Sequence, residues 1–247
     1  MTLGASKRNP LLRNRKEVDM TQGNIARHIL SFAFPLLLGN IFQQLYNTVD
    51  TWVVGNFASD TAYPAVGTVG PIINTLIGFF MGLSAGAGVV ISQYYGAKMY
   101  DKVKETVHTA ITMTLILGVV MTVLGLVMIP MMLGFIKMPE TVLPSATIYL
   151  SIYFSGLLGL MLYNIGAGIL RAVGDSTRPF LYLVFCAIMN TVLDLLFVCL
   201  FKMDVAGVAL ATILSQGCSA VLVIRALLKT DSCIRLSPRS CAFIWIS

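Results

Sequence analysis

Residues Ile29–Phe57 read ILSFAFPLLLGNIFQQLYNTVDTWVVGNF, and Asp50 is the only charged residue among them. The run is longer than the roughly 20 helical residues that cross the hydrocarbon core of a bilayer. A polar series runs through it, with Asn40, Gln43, Gln44, Asn47 and Asp50 spaced three or four apart, so they form one helical stripe. Lipid offers such groups no partners, so the stripe must face other helices or a cavity. The stretch is therefore a membrane span whose polar side belongs to the protein interior.

The rest of the chain extends this reading. Of 247 residues, 57% are hydrophobic and 11% charged, against about 25% charged in a soluble domain, and the mean hydropathy is +0.82. Five more long apolar runs follow Ile29–Phe57, at Ala65–Tyr95, Val107–Ile136, Leu143–Leu170, Phe180–Phe201 and Val205–Leu228. The expected fold is an all-α polytopic membrane protein with six transmembrane helices. Its domain reading is an N-terminal segment over 1–24, a six-helix lobe over 25–230 and a connector over 231–247.

Basic residues give the orientation. Fifteen of the seventeen Lys and Arg residues fall in the N-terminal segment, in the loops after the second and fourth runs, and after the sixth. Lys137 and Lys202 are alone on the opposite side. The positive-inside rule then places both termini in the cytoplasm, for a protein integral to the plasma (bacterial inner) membrane. The net charge of +6 is accounted for as a topogenic signal and requires no nucleic-acid partner. The five cysteines form no CxxC spacing and read as reduced thiols. His28 and His108 lie at helix ends far from the acids, and no nucleophilic triad, zinc spacing or phosphate loop occurs, so an enzyme and a cofactor are not expected.

Asp50 and Asp194 are the two acids deep within apolar runs; the other nine lie in loops or near segment ends. A carboxylate in the membrane costs several kcal/mol by the lower estimates and marks a functional site by default. Asn190 and Asp194 share a face four residues apart. Counting 1.5 Å per residue from the outer ends of the runs puts Asp50, Asp194 and Thr212 roughly 10 Å deep, with Asn190 about 6 Å deeper. Carboxylate, amide and hydroxyl oxygens at one level suit a hard cation such as Na⁺, or a proton. The amides Asn40, Gln43, Gln44 and Asn47, with Tyr46, either line a cavity or bond neighbouring helices. Pro35 removes a backbone hydrogen bond and favours a kink, static or hinged. Gly78, Gly82 and Gly86 predict close helix packing.

These residues resemble the N-terminal half of the multidrug and toxic compound extrusion (MATE) transporters. The resemblance is carried by Pro35-Leu36-Leu37-Leu38-Gly39-Asn40, Gln43-Gln44-Leu45-Tyr46-Asn47-Thr48-Val49-Asp50, Gly168-Ile169-Leu170-Arg171-Ala172-Val173-Gly174-Asp175-Ser176-Thr177-Arg178-Pro179 and Asn190-Thr191-Val192-Leu193-Asp194. It implies one lobe of a twelve-helix antiporter that exchanges Na⁺ or H⁺ for small, mostly cationic amphipathic drugs or dyes. It also implies a cation or proton site at Asp50, Asn190, Asp194 and Thr212, and a bend at Pro35 that responds to cation or proton binding. Six helices are half the family pattern, so the chain is expected to be truncated and to need a C-terminal lobe or a second copy. The alternatives are a non-transporting remnant and a lipid-linked precursor flippase. The acidic interior argues against the anionic cargo of a flippase.

Overall fold

Pro35 does not stop the first helix. In a computed structural model, which describes residues 25–230 and 233–236, α1 runs unbroken over Ile25–Phe57 with Pro35 inside it. Two more long helices contain a proline: α2 (Ala62–Gly96) carries Pro71 and α3 (Tyr100–Phe135) carries Pro130. Then follow α4 (Leu143–Ser155), α5 (Leu157–Ala172), α6 (Thr177–Asp194), a π-helical turn over Leu195–Leu200, and α7 (Asp204–Lys229). There is no strand among the described residues. The expected N-terminal segment 1–24 and most of the connector 231–247 lie outside them.

Among the described residues, α2, α3, α6 with its π turn, and α7 are each long and apolar enough to cross a membrane. The pair α4–α5 adds a fifth span if counted as one, bent by 46° at the break. The sequence presents 143–170 as one continuous run, so this bend is a difference. At the break Gly156 leaves room for Ile213 of α7, with which a Cβ there would collide. α1, at 33 residues, is also long enough to cross.

The bundle is organised around α5 and α7, which pack on each other, while α6 lies between α1 and α7. Two buried apolar clusters form the core. The first joins Val53, Val69, Phe80, Phe154, Val198 and Val208; the second joins Ile91, Val103, Ile169, Val223 and Leu227. Ile234 and Leu236, beyond α7, tuck into the second cluster, and the Leu236 amide donates to the Leu227 carbonyl at 3.1 Å. The outer surface of α3 exposes Val119, Val123, Val127 and Met131, as a lipid-facing helix does.

One packing expectation fails. Gly78, Gly82 and Gly86 meet no neighbour within 4 Å. The opposite face of α2, with Phe80, Ser84 and Ile91, is the buried one. Close approach occurs instead where the Ser84 hydroxyl donates to the Asn164 carbonyl at 2.7 Å and Gly168 leaves room for Ser84.

Candidate functional site

Asp50 and Asp194 come together. α1 and α6 are in contact along their length, helped by an edge-to-face pair of Phe42 and Phe180 with centroids 6.0 Å apart. Near the C-terminal ends of both helices the two carboxyl groups are within hydrogen-bonding reach of each other. Asp194 is fully buried, as is Asn190 one turn below it. Both oxygens of Asp194, Oδ1 of Asp50 and both amide atoms of Asn190 lack a protein hydrogen-bond partner. Two carboxylates have no donor between them. A proton or a cation between them would relieve the repulsion and give the carboxylate oxygens a partner.

Thr212, on α7, donates its hydroxyl to the Val208 carbonyl at 3.0 Å, and its own carbonyl accepts from Ser215 at 2.9 Å. Its oxygen lone pairs remain the part available to a ligand. Among the described residues no group of three or more His, Cys, Asp or Glu is gathered for a metal ion. A cation here would rest on two carboxylates supplemented by amide and hydroxyl oxygens.

The polar stripe of α1 divides. At about 100° per residue it spans about a third of the helix circumference, and its two edges have different surroundings. Tyr46 is buried, with Gln43 as its side-chain partner and Asp50 and Cys186 nearby. Gln44 and Asn47 are exposed, bonded to each other at 3.4 Å, and line an open groove of about 530 Å³ with Thr48, Thr51, Trp52, Gly55, Asn56 and Tyr63. Asn40 is exposed and outside that groove. Pro35 lies about four turns N-terminal to Asp50, in unbroken helix.

Tyr149 and Tyr153 of α4 were not singled out from the sequence. They are buried, stacked with centroids 6.2 Å apart, and Tyr149 is in electrostatic range of both acids. Their i,i+4 spacing was the available signal, but a tyrosine in an apolar run reads equally well as core. Asp175 does cap the next helix: its Oδ1 accepts from the Arg178 amide at 3.1 Å. Arg178 Nε lies 2.9 Å from Oδ2, close as an ion pair though not aligned as a hydrogen bond.

An apolar helical bundle with a carboxylate pair in its buried interior and a polar groove on an exposed helix face has the form of a membrane transporter lobe. Residues 35–196 match the MatE family model, and the chain belongs to that family. The matched range includes Asp50, Asn190 and Asp194 and stops short of Thr212. The chain is 33% identical over 202 residues to the probable multidrug resistance protein YpnP of Bacillus subtilis (strain 168), covering 82% of this chain and 45% of that protein. Its fold matches an outward-facing multidrug resistance MATE transporter of the MOP superfamily with a TM-score of 0.86 and 27% identity, covering 92% of this chain and 51% of that one. An inward-facing structure matches with a TM-score of 0.73 and 27% identity, over 81% of this chain and 47% of that one. The chain thus spans about half the length of the relatives it matches.

Proposed function

We propose that this chain is the cation-coupling lobe of an antiporter that exports small organic, mostly cationic amphipathic compounds. Asp50, Asn190, Asp194 and Thr212 form the coupling site for Na⁺ or H⁺. The observation that carries the reading is the juxtaposition of two intramembrane carboxyl groups whose buried oxygens have no protein donor. Occupancy shifts the lobe between outward- and inward-facing forms by its difference in affinity for the two. Pro35 is the hinge that lets the inner half of α1 move relative to the acids. The groove at Gln44 and Asn47 receives the substrate between this lobe and a second one, supplied by a C-terminal half or a second copy. Both termini are cytoplasmic, in the bacterial inner membrane.

The test is dye efflux from proteoliposomes under imposed Na⁺ or proton gradients, using the chain alone and joined to the C-terminal half of YpnP. Asp50→Asn and Asp194→Asn are expected to lower gradient-driven efflux by about tenfold or more. Efflux that stays gradient-dependent and undiminished in both variants removes the acids from coupling.

A further inference from the structure

Three helical segments end on a lysine in a conformation that lysine rarely adopts. Of the four described residues other than glycine with a left-handed φ, three are lysines: Lys98 at 59°, Lys137 at 54° and Lys202 at 52°. Lys98 follows α2 and Lys137 follows α3, and each closes a Schellman cap. The Lys98 amide donates to the Tyr95 carbonyl at 3.0 Å, and the Met99 amide to the Tyr94 carbonyl at 2.9 Å. In the same way the Lys137 amide donates to Gly134 at 3.1 Å, and the Met138 amide to Leu133 at 3.2 Å. Lys202 closes a wider form after the π turn, where the Met203 amide donates to the Phe197 carbonyl at 2.9 Å.

Glycine is the ordinary occupant of that position, because a side chain there costs energy. Among the described glycines only Gly174 has a left-handed φ, 88°, and it closes α5 with the same pattern of bonds. The last turn of α5 already holds a cation, Arg171, whereas the last turns of α2 and α3 hold none. Lysine thus replaces glycine where the partial negative charge of a helix C-terminus is otherwise uncompensated. Two of these lysines share one end of the bundle. Lys202 precedes Asp204 by two residues and Lys137 lies in the loop leading to α4, and Asp204 is linked through Ser59 and Thr61 to Ser145 of α4. Both lysines are exposed, and neither is in an ion pair among the described residues. Each follows exposed apolar surface: Met131 and Phe135, the latter 90% exposed, precede Lys137, and Leu200 and Phe201 precede Lys202. Such surface belongs in hydrocarbon, and a lysine one or two residues beyond it reaches the headgroup layer.

We infer that Lys137 and Lys202 bind the phosphodiester groups of membrane phospholipids, and that the left-handed caps hold both ammonium groups at that depth. The phosphodiester is the anion that every phospholipid presents at the edge of the hydrocarbon. A bare helix C-terminus repels it. An ammonium placed between the two reverses the sign of that contact and brings three donors to the phosphate oxygens. Asp204, the nearest acid in sequence to Lys202, does not compete for the ammonium, because its carboxylate accepts from the Ser59 amide and hydroxyl. The two lysines then pin the end of α3 and the end of the π turn to one phosphate plane.

The test is thermal unfolding of the 247-residue chain in dodecyl maltoside, a detergent without phosphate, with and without added phosphatidylglycerol. A ligand that binds only the folded form raises the melting temperature by mass action. The wild type is expected to gain several degrees, and Lys137→Gln with Lys202→Gln to lose at least about half of that gain. Glutamine keeps the left-handed backbone cost, so comparing the gains isolates the lost charge. Lys137→Arg with Lys202→Arg is expected to keep the gain, because a guanidinium also binds phosphate. Lys102→Gln with Lys104→Gln, which removes two charges from inside α3, is expected to keep it as well. No gain in the wild type, or an equal gain in Lys137→Gln with Lys202→Gln, overturns the inference. An equal loss in Lys102→Gln with Lys104→Gln overturns it in favour of diffuse charge attraction. The same gain from inorganic phosphate without lipid overturns it in favour of a free anion.

Discussion

Glycine positions show how little slack this lobe has. A Cβ at Gly125 of α3 would drive into the ring of Phe154 on α4, and Phe154 is 1% exposed, with nowhere to retreat. Gly125→Ala is therefore expected to destabilise the lobe by about 1–3 kcal/mol, the usual cost of overpacking a filled interior. The reading is a lower melting temperature in detergent. Gly82→Ala, at a site with open space around it, is the matched control and should hold the temperature or raise it slightly, because alanine favours a helix interior over glycine. Legibility at this scale followed chemistry rather than size. Asp50 and Asp194 stood out because a charge in an apolar run is costly wherever the fold puts it. Gly125 and Gly78 look alike in sequence, and which of them touches a neighbour depends on the rotation of each helix within the bundle. Tyr149 was missed for a similar reason, because tyrosine is at home in a core and beside an acid alike.

At the scale of elements, one loop and the first turns of two helices are tied together through Asp204. Asp204, the first residue of α7, has φ of 52°, a left-handed conformation that costs most residues energy and that Asp and Asn tolerate best. Its carboxylate accepts from the Ser59 amide and from the Ser59 hydroxyl, each at 2.8 Å. Ser59 continues to Thr61 at 3.1 Å, and Thr61 to Ser145 of α4 at 3.2 Å. The α1–α2 loop, α4 and α7 are thereby fastened next to the end of α1 that carries Asp50. Asp204→Ala loses both acceptors while keeping the unfavourable φ, and should destabilise the lobe by about 1–3 kcal/mol. Asp204→Asn keeps one acceptor and the tolerated backbone, so its loss should be smaller. Equal melting temperatures for wild type and Asp204→Ala would show that the clasp holds nothing. The order of helices was legible because hydropathy reports length and burial. The break at Gly156 and the π turn after Asp194 were not. Both preserve the apolar character of their runs and alter only the backbone.

At the scale of the whole molecule, α1 is the least settled element. One edge of its polar stripe reaches the acids, and the other opens into the groove lined by Gln44, Asn47, Thr48, Thr51 and Asn56. Thr48, Thr51 and Asn56 satisfy themselves by donating to carbonyls four residues back, at 2.8 Å in each case. The Gln44 and Asn47 amides keep unmet capacity, and hydrocarbon cannot supply it. Relatives twice as long carry a second half, and covering this groove is the natural place for it. The expectation is tested with Asn47→Cys in a chain whose native cysteines are replaced, using a water-soluble maleimide. In the 247-residue chain the thiol should react readily. Joined to the C-terminal half of YpnP it should react several-fold more slowly, and more slowly again with a saturating dye present. A thiol that reacts equally in both forms would detach the groove from the second lobe and leave substrate binding to be sought on another face of the bundle.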